Sequence, residues 1–263
     1  MRKVLLLFFA ALFIFTARNA ALERTDLSTE YTLMSVLWVQ TSAEYKALCL
    51  QAFNSARDRL TEYINTPRDK SLKPAVITDI DETVLDNSPY QGWVLKNNRN
   101  YPAGWDEWCK RSEARPVPGA LEFIKFAEKN GIEVFYVTNR KKHLYDCTLK
   151  NLKDLGFPFA DKEHIFLREG SSDKEYTRQK IALMYDIVLL IGDNLNDFSN
   201  IFFNKGIGER SEATDENGSL FGKKFIILPN PMYGDWESAL FWDKGRLSET
   251  EKQGIRLDSY RAF

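Results

Sequence analysis

The sequence predicts an α/β fold, a parallel sheet flanked by helices with a helical segment ahead of it, and three observations carry that prediction. Ala75-Val76-Ile77, residues 133–137 and residues 187–191 are short apolar runs that read as buried strands. Helix-like runs separate them, and alternation of strand and helix at this spacing means a parallel sheet with right-handed crossovers. Each of the three runs ends in a polar cluster, Thr78-Asp79, Thr138-Asn139-Arg140 and Gly192-Asp193, and the C-terminal ends of parallel strands are where such sheets bind ligands.

The elements follow in chain order. Arg2-Lys3 and the unbroken apolar run 4–15 read as a secretory signal, too short for a comfortable membrane span. Cleavage after Ala20 would leave Arg18 at the −3 position, where a small residue is preferred, so an uncleaved N-terminal anchor is the alternative. Residues 33–64 form one or two long helices, with Leu33, Val36, Leu37, Val39, Tyr45, Leu48, Leu50, Phe53, Leu60 and Tyr63 as a broad apolar stripe against the core. Residues 67–74 are a polar loop. After the first strand, residues 91–116 show no clear periodicity and hold Trp93, Tyr101, Trp105 and Trp108. Residues 118–131 are a helix with Pro118 early and Gly131 at its end. Helix 141–155, strand 164–167, helix 173–185 and a further strand 225–228 follow, and residues 248–263 form a polar helical tail.

Composition bounds the rest. A chain of 263 residues that is 44% hydrophobic makes one large domain or a domain with an insert. A formal net charge of −1 speaks against a nucleic-acid polymer as partner. Cys49, Cys109 and Cys147 fit no zinc spacing and read as small buried hydrophobes, with an odd one left over from any pairing. His143 reads as a solvated helix residue and His164 as a hydrogen-bonded structural one.

Chemistry concentrates after the first strand. Asp79 and Asp81 are two apart, so an extended chain sends both carboxylates to one side. Two such charges repel unless a cation or a proton lies between them. A solvated strand-to-loop turn would explain one Asp-x-Asp alone. It does not explain the set: Asp79-x-Asp81-x-Thr83, a strand ending in Thr138, Lys174 opening a helix, and Gly192-Asp193-x-x-x-Asp197, in that order.

That order resembles the four motifs of the haloacid dehalogenase (HAD) superfamily. The fuller wording from Asp79 to Tyr90, Asp-Ile-Asp-Glu-Thr-Val-Leu-Asp-Asn-Ser-Pro-Tyr, resembles a narrower group, the class C or "DDDD" acid phosphatases. So do Trp38-Val-Gln-Thr-Ser-Ala-Glu-Tyr-Lys46 upstream and Asn230-Pro-Met-Tyr-Gly-Asp-Trp-Glu237 downstream, and the similarity runs from about residue 32 to 242. The resemblance implies a HAD-like Rossmannoid sheet with a small cap, placed near 90–116, on a phosphatase domain spanning 21–263.

It also implies roles. Asp79 attacks phosphorus and forms an aspartyl-phosphate. Asp81 protonates the departing alcohol and then deprotonates the hydrolytic water, its main-chain carbonyl also binding the metal. Thr138, Asn139 and Lys174 hold the phosphoryl oxygens. Asp193 coordinates Mg²⁺ beside Asp79, and Asp197 supports the metal shell. An all-oxygen donor set suits Mg²⁺. Lys180 competes with Lys174 for the lysine role, and Lys174 is preferred because the start of its helix faces the sheet edge.

The implied activity is Mg²⁺-dependent hydrolysis of small phosphate monoesters, nucleoside monophosphates among them. Tyr90, Trp105 and Tyr233 are candidates to stack on a base, and packing within the loop is an equal reading for Trp105. The rival is a catalytically silent phosphate-binding or storage protein on the same fold; the carboxylate retained at Asp79 argues against it. Dehalogenase chemistry is disfavoured by Asp81, which such enzymes lack. The expected location is outside the bacterial cytoplasm, periplasmic, on the outer surface or secreted. No cysteine precedes Cys49, so the lipid anchor that several relatives carry at the signal junction is not expected here. Membrane contact would come through the N-terminal segment alone, and a homo-oligomer is compatible with the sequence.

Overall fold

The computed structural model describes residues 27–67 and 71–263. The expected signal segment and its cleavage point lie outside the described residues. Among those described, no helix is long and apolar enough to cross a membrane.

Helices α1 (Leu27–Thr41) and α2 (Ala43–Asn65) are two rather than one because Ser42 leaves the helical conformation and its side chain caps α2, accepting from the Tyr45 N–H at 3.0 Å. The apolar stripe is narrower than the sequence reading had it. Val36, Val39, Tyr45, Cys49, Phe53, Ala56 and Leu60 are buried, whereas Leu33, Leu37, Leu48 and Leu50 are each about two-fifths exposed, 39–43%. The buried set follows the 3.6-residue period; the exposed leucines fall off it.

Strand β1 (Lys73–Thr78) leads into a tight loop and the short strand β2 (Leu85–Asp86). Residues 91–116 are not a loop. They contain most of α3 (Ser88–Lys96), α4 (Trp105–Arg111) and β3 (Arg115–Pro116), which pairs antiparallel with β2. Helices of 9 and 7 residues are shorter than the window over which a helical period can be read, which is why the sequence showed none. Tyr90, Val94, Trp105, Cys109 and Leu144 form a small apolar cluster under this cap.

The rest alternates. After α5 (Ala120–Lys129) come β4 (Glu133–Lys141), α6 (Tyr145–Asp154), β5 (Ile165–Arg168), α7 (Glu175–Ala182) and β6 (Tyr185–Gly192). Then follow α8 (Ile207–Glu216), β7 (Phe225–Ile227), α9 (Asp235–Ser238) and α10 (Glu249–Ser259). The helix expected at 141 begins four residues later, because β4 runs on to Lys141 and a 3-10 turn intervenes. Helix α8 was not foreseen: its side chains are polar and its one buried residue is Arg210, so it carries no apolar period.

The five main strands form a parallel sheet in the order β5-β4-β1-β6-β7. Alternate side chains serve its two faces. Val76, Val134, Tyr136, Leu189 and Ile191 meet α2 and α5 on one side. Ala75, Ile77, Phe135, Val137 and Leu190 meet Ile181 of α7, Phe198 and Phe202 on the other. Burial on both faces is what made these strands read as continuous apolar runs. With β1 central, its C-terminal end lies between those of β4 and β6.

Candidate active site

The three polar clusters at the ends of β4, β1 and β6 converge on one point. Asp79 follows β1 directly, its N–H donating to the Ile191 carbonyl of β6 at 2.9 Å. Asp193 follows β6 directly, and Asp197 lies one turn on. Asp79, Asp193 and Asp197 each offer an oxygen within 4.8 Å of the others. Lys174, at the N-cap position of α7, reaches in between them: its ammonium donates to Asp79 Oδ1 and, at 2.6 Å, to Asp197 Oδ1. Lys180, the competitor, lies on the exposed side of α7 with its ammonium over the Tyr176 ring at 5.5 Å.

Electrostatics suits this cluster to a cation. Burial pushes the Asp79 carboxyl well above the usual carboxylate range; Lys174 opposes the shift, and Asp197, Asp193 and Asp81 add to it. Asp193 is pushed up to about 7, first by burial and then by the Asp197 charge, against the Asn230 hydrogen bond and Lys174. Burial pulls the Lys174 ammonium down, but Asp197 and Asp79 outweigh it and raise the group, so it stays charged. One ammonium among three carboxylates leaves excess negative charge that a proton or a divalent cation must neutralise. The donors are all hard oxygens, which fits Mg²⁺ or a similar ion. Thr83 Oγ1 and Asn230 Nδ2 donate to the two Asp193 oxygens at 3.3 and 2.8 Å, orienting that carboxylate from outside. The Asn194 N–H donates to Asp197 Oδ2 at 3.0 Å. Gly192 is required here: a Cβ on it would overlap the Asp197 carboxylate.

Asp81 is set apart from the cluster. Its Oδ1 accepts from Arg140 Nε and Nη2 at 2.9 and 2.8 Å and from Asn87 Nδ2 at 2.8 Å. Its Oδ2 accepts from the Thr138 hydroxyl at 3.3 Å. Arg140 is almost wholly buried, donates also to Thr148 at 3.1 Å and lies over the Trp105 ring at 5.6 Å. Trp108 Nε1 donates to Asn87 Oδ1 at 2.8 Å and so fixes Asn87. Thr138 is therefore buried beneath Asp81, whereas Asn139 is exposed at the cleft.

The sequence reading missed this clamp. Its signal was available: Arg140 lies two residues beyond Thr138 on the same strand, hence on the same face. Arg178 was missed likewise. It lies one turn beyond Lys174, is buried, and donates to the Asn196 and Asp197 carbonyls at 2.8 and 3.2 Å, holding the loop after β6. Glu82, in the left-handed region at φ 57°, accepts from the Asn87 N–H at 2.8 Å and from the Tyr233 hydroxyl, tying the 230–234 loop to the loop after β1.

Above these groups lies a cleft of about 430 Å³. Tyr90, Trp105 and Tyr233 all line it, but not as a ready sandwich. Tyr90 is 2% exposed, its hydroxyl donating to the Ala103 carbonyl at 3.0 Å, and it packs edge-to-face on Trp105 at 4.9 Å. Trp105 is 9% exposed. The open ring at this wall is Tyr101, 62% exposed and edge-on to Trp105 at 6.1 Å. Packing in the cap, the alternative reading for Trp105, is what these contacts describe.

Comparison with known proteins agrees with this fold. Two solved structures of the class C acid phosphatase of Bacillus anthracis are similar at 42% sequence identity. The tungstate-bound form superposes with a TM-score of 0.86 over 89% of this chain and 98% of that one, and the other form with 0.85 over 90% and 99%. Acid phosphatase 1 of Solanum lycopersicum is 26% identical over 164 residues, 60% of this chain and 57% of that protein. The class B acid phosphatase of Xenorhabdus bovienii is 27% identical over 209 residues, 73% and 81%. The chain thus spans a little over half the length of the tomato relative. A family model described as HAD superfamily, subfamily IIIB (Acid phosphatase) matches residues 16–236, most of the chain and every residue of the cluster, and the chain belongs to that family.

Proposed function

We propose that this chain hydrolyses small phosphate monoesters with Mg²⁺ as its cofactor. The observation that carries the reading is the grouping of Asp79, Asp193 and Asp197 around Lys174 at the ends of β1 and β6, with Asp81 two residues from Asp79. Asp79, Asp193 and the Asp81 main-chain carbonyl would hold the ion, with Asp197 in support; when bound, it offsets negative charge on Asp79 and on the phosphoryl oxygens.

The chain's own groups then divide the work. A carboxylate oxygen of Asp79 attacks phosphorus as the bond to the alcohol oxygen breaks, giving an aspartyl-phosphate. Asp81 delivers a proton to that departing oxygen. It then takes a proton from the water that attacks the same phosphorus, and the bond to Asp79 breaks to release phosphate. Lys174 and Asn139 hold phosphoryl oxygens through both steps, and Thr138 joins them by turning its hydroxyl from Asp81. Arg140 and Asn87 keep the Asp81 carboxylate aimed while the alcohol changes.

Nucleoside monophosphates fall within the substrate range, the base resting against Tyr101 and Tyr233. Stacking of this kind is worth roughly 1–3 kcal/mol and is blind to base identity. Export from a bacterial cytoplasm follows from the 4–15 segment, and the intact mass of the native protein tests it: retention of Met1 in a cytosolic protein contradicts export. The activity itself is tested with p-nitrophenyl phosphate. Turnover that chelation abolishes and Mg²⁺ restores supports the reading; a protein inert in every metal would be a binder instead.

A further inference from the structure

We propose that the cleft selects phosphate monoesters whose alcohol carries a fixed positive charge, and that Asp235 reads that charge. The inference rests on the phosphatase reading above and adds a substrate class to it.

The cleft is acidic. Six carboxylates line it, those of Asp79, Asp81, Asp193, Asp197, Asp235 and Glu237, against the cations Arg140 and Lys174 in the lining and Arg256 paired with Glu237, an excess of three negative charges. A divalent cation and a phosphate dianion sum to zero, so their arrival leaves that excess in place. Most of the carboxylates are spoken for. Lys174 lies between Asp79 and Asp197, Arg140 grips Asp81, and Arg256 Nε and Nη2 hold Glu237 at 3.0 and 2.7 Å.

Asp235 differs. It opens α9, accepts from the Asn196 side-chain amide, and makes no ion pair among the described residues. Arg210 acts on it at longer range but is buried behind, committed to the Phe202 carbonyl at 2.7 Å. The wall of the same cleft adds an aromatic face: Tyr101 offers an exposed ring with no cation over it among the described residues, and Arg168, which acts on Tyr101, does not line the cleft. An anionic side chain and an open aromatic face around one small cleft recognise an ammonium group. The same field disfavours an alcohol bearing a second phosphate or a carboxylate.

The test is a pair of isosteres. Phosphocholine and 3,3-dimethylbutyl phosphate have the same shape and differ in the charge of the terminal group. With p-nitrophenyl phosphate as the common reference, the Mg²⁺-loaded enzyme should favour phosphocholine by about ten-fold in kcat/KM, equivalent to about 1.4 kcal/mol. The ratio, in which losses common to both substrates cancel, should fall towards one in Asp235→Asn. It should also fall in about 1 M salt, where the screening length is about 3 Å. Tyr101→Leu, at an exposed position, should lower it independently of how Asp235→Asn folds. Equal kcat/KM for the two isosteres in the wild type, with p-nitrophenyl phosphate turned over, overturns this inference and leaves the phosphatase standing. A preference that Asp235→Asn keeps in full overturns the role given to Asp235. No turnover of any of the three esters removes the phosphatase reading and this one with it.

Discussion

Asp79→Asn and Asp81→Asn should both silence turnover, yet they should move stability differently. Arg140 is the discriminating group. Its guanidinium is 1% exposed and Asp81 is the carboxylate it pairs with among the described residues, through Nε and Nη2. Removing one partner of a buried pair costs about 3–5 kcal/mol, because the other charge stays behind uncompensated. The Asp81 side chain is 18% exposed and asparagine keeps one carbonyl acceptor, so the lower end, about 3 kcal/mol, is the expected loss. At ~2–4 °C per kcal/mol for a domain of this size, that lowers Tm by about 6–12 °C.

At Asp79 the balance is different. Asparagine removes the attraction of Lys174, which retains Asp197 at 2.6 Å, and also removes repulsion from Asp197, Asp193 and Asp81. The metal-free Asp79→Asn protein should therefore stay within about 1 kcal/mol of wild type. Thermal unfolding followed by circular dichroism in chelator at neutral pH, alongside turnover of p-nitrophenyl phosphate, measures both. An Asp81→Asn protein with the wild-type Tm would refute the clamp, and so would the larger loss appearing at Asp79.

Three further outcomes follow from the same geometry. Asp193 is held near 7 in the folded protein against an ordinary value of 3.8, so between those values the native chain binds more protons than the unfolded one. Metal-free stability should therefore fall as pH rises through that window, by up to about 1.4 kcal/mol per pH unit from this group, with Tm in chelator higher at pH 5 than at pH 8 and Mg²⁺ shrinking the gap; a rise in the metal-free Tm over that interval contradicts the assignment. Gly192→Ala places a methyl group on the Asp197 carboxylate and should lower kcat ten-fold or more at a stability cost of about 1–3 kcal/mol, and an alanine variant with wild-type kcat removes the packing argument. Tyr233→Ala should raise KM for a nucleoside monophosphate about ten-fold while sparing a small aliphatic phosphate, since about 1.4 kcal/mol of stacking is lost; equal losses on both would make Tyr233 a structural tie to Glu82.

What the sequence made legible was whatever repeats in one dimension. Strands buried on both faces are apolar without interruption, so all five main strands were visible, and the polar ends of three of them named Asp79, Thr138 and Asp193, with Lys174 marked by the start of its helix. The cap was opaque because α3 and α4 are too short to show a period and are held by contacts distant in sequence, such as Trp108 to Asn87. Arg140 was overlooked because a charged residue at a strand end reads as solvated until its partner 59 residues away is known. The aromatic rings illustrate the opposite case. Tyr90 and Trp105 were chosen for residue type and position, and burial then went to them and exposure to Tyr101. Residue type told which rings could stack; the packing of the cap decided that, of its three rings lining the cleft, Tyr101 is the open one.

Asp79 should carry the phosphoryl group between two transfers that Asp81 serves. p-Nitrophenolate leaves without needing a proton, so Asp81→Asn should still be phosphorylated by p-nitrophenyl phosphate and then stall, having lost the base that activates water. Acid quenching of that variant with Mg²⁺ and substrate, followed by peptide mass spectrometry, should find one phosphoryl group on Asp79. A burst of p-nitrophenol with the phosphoryl group on another residue, or with none bound, would contradict the account.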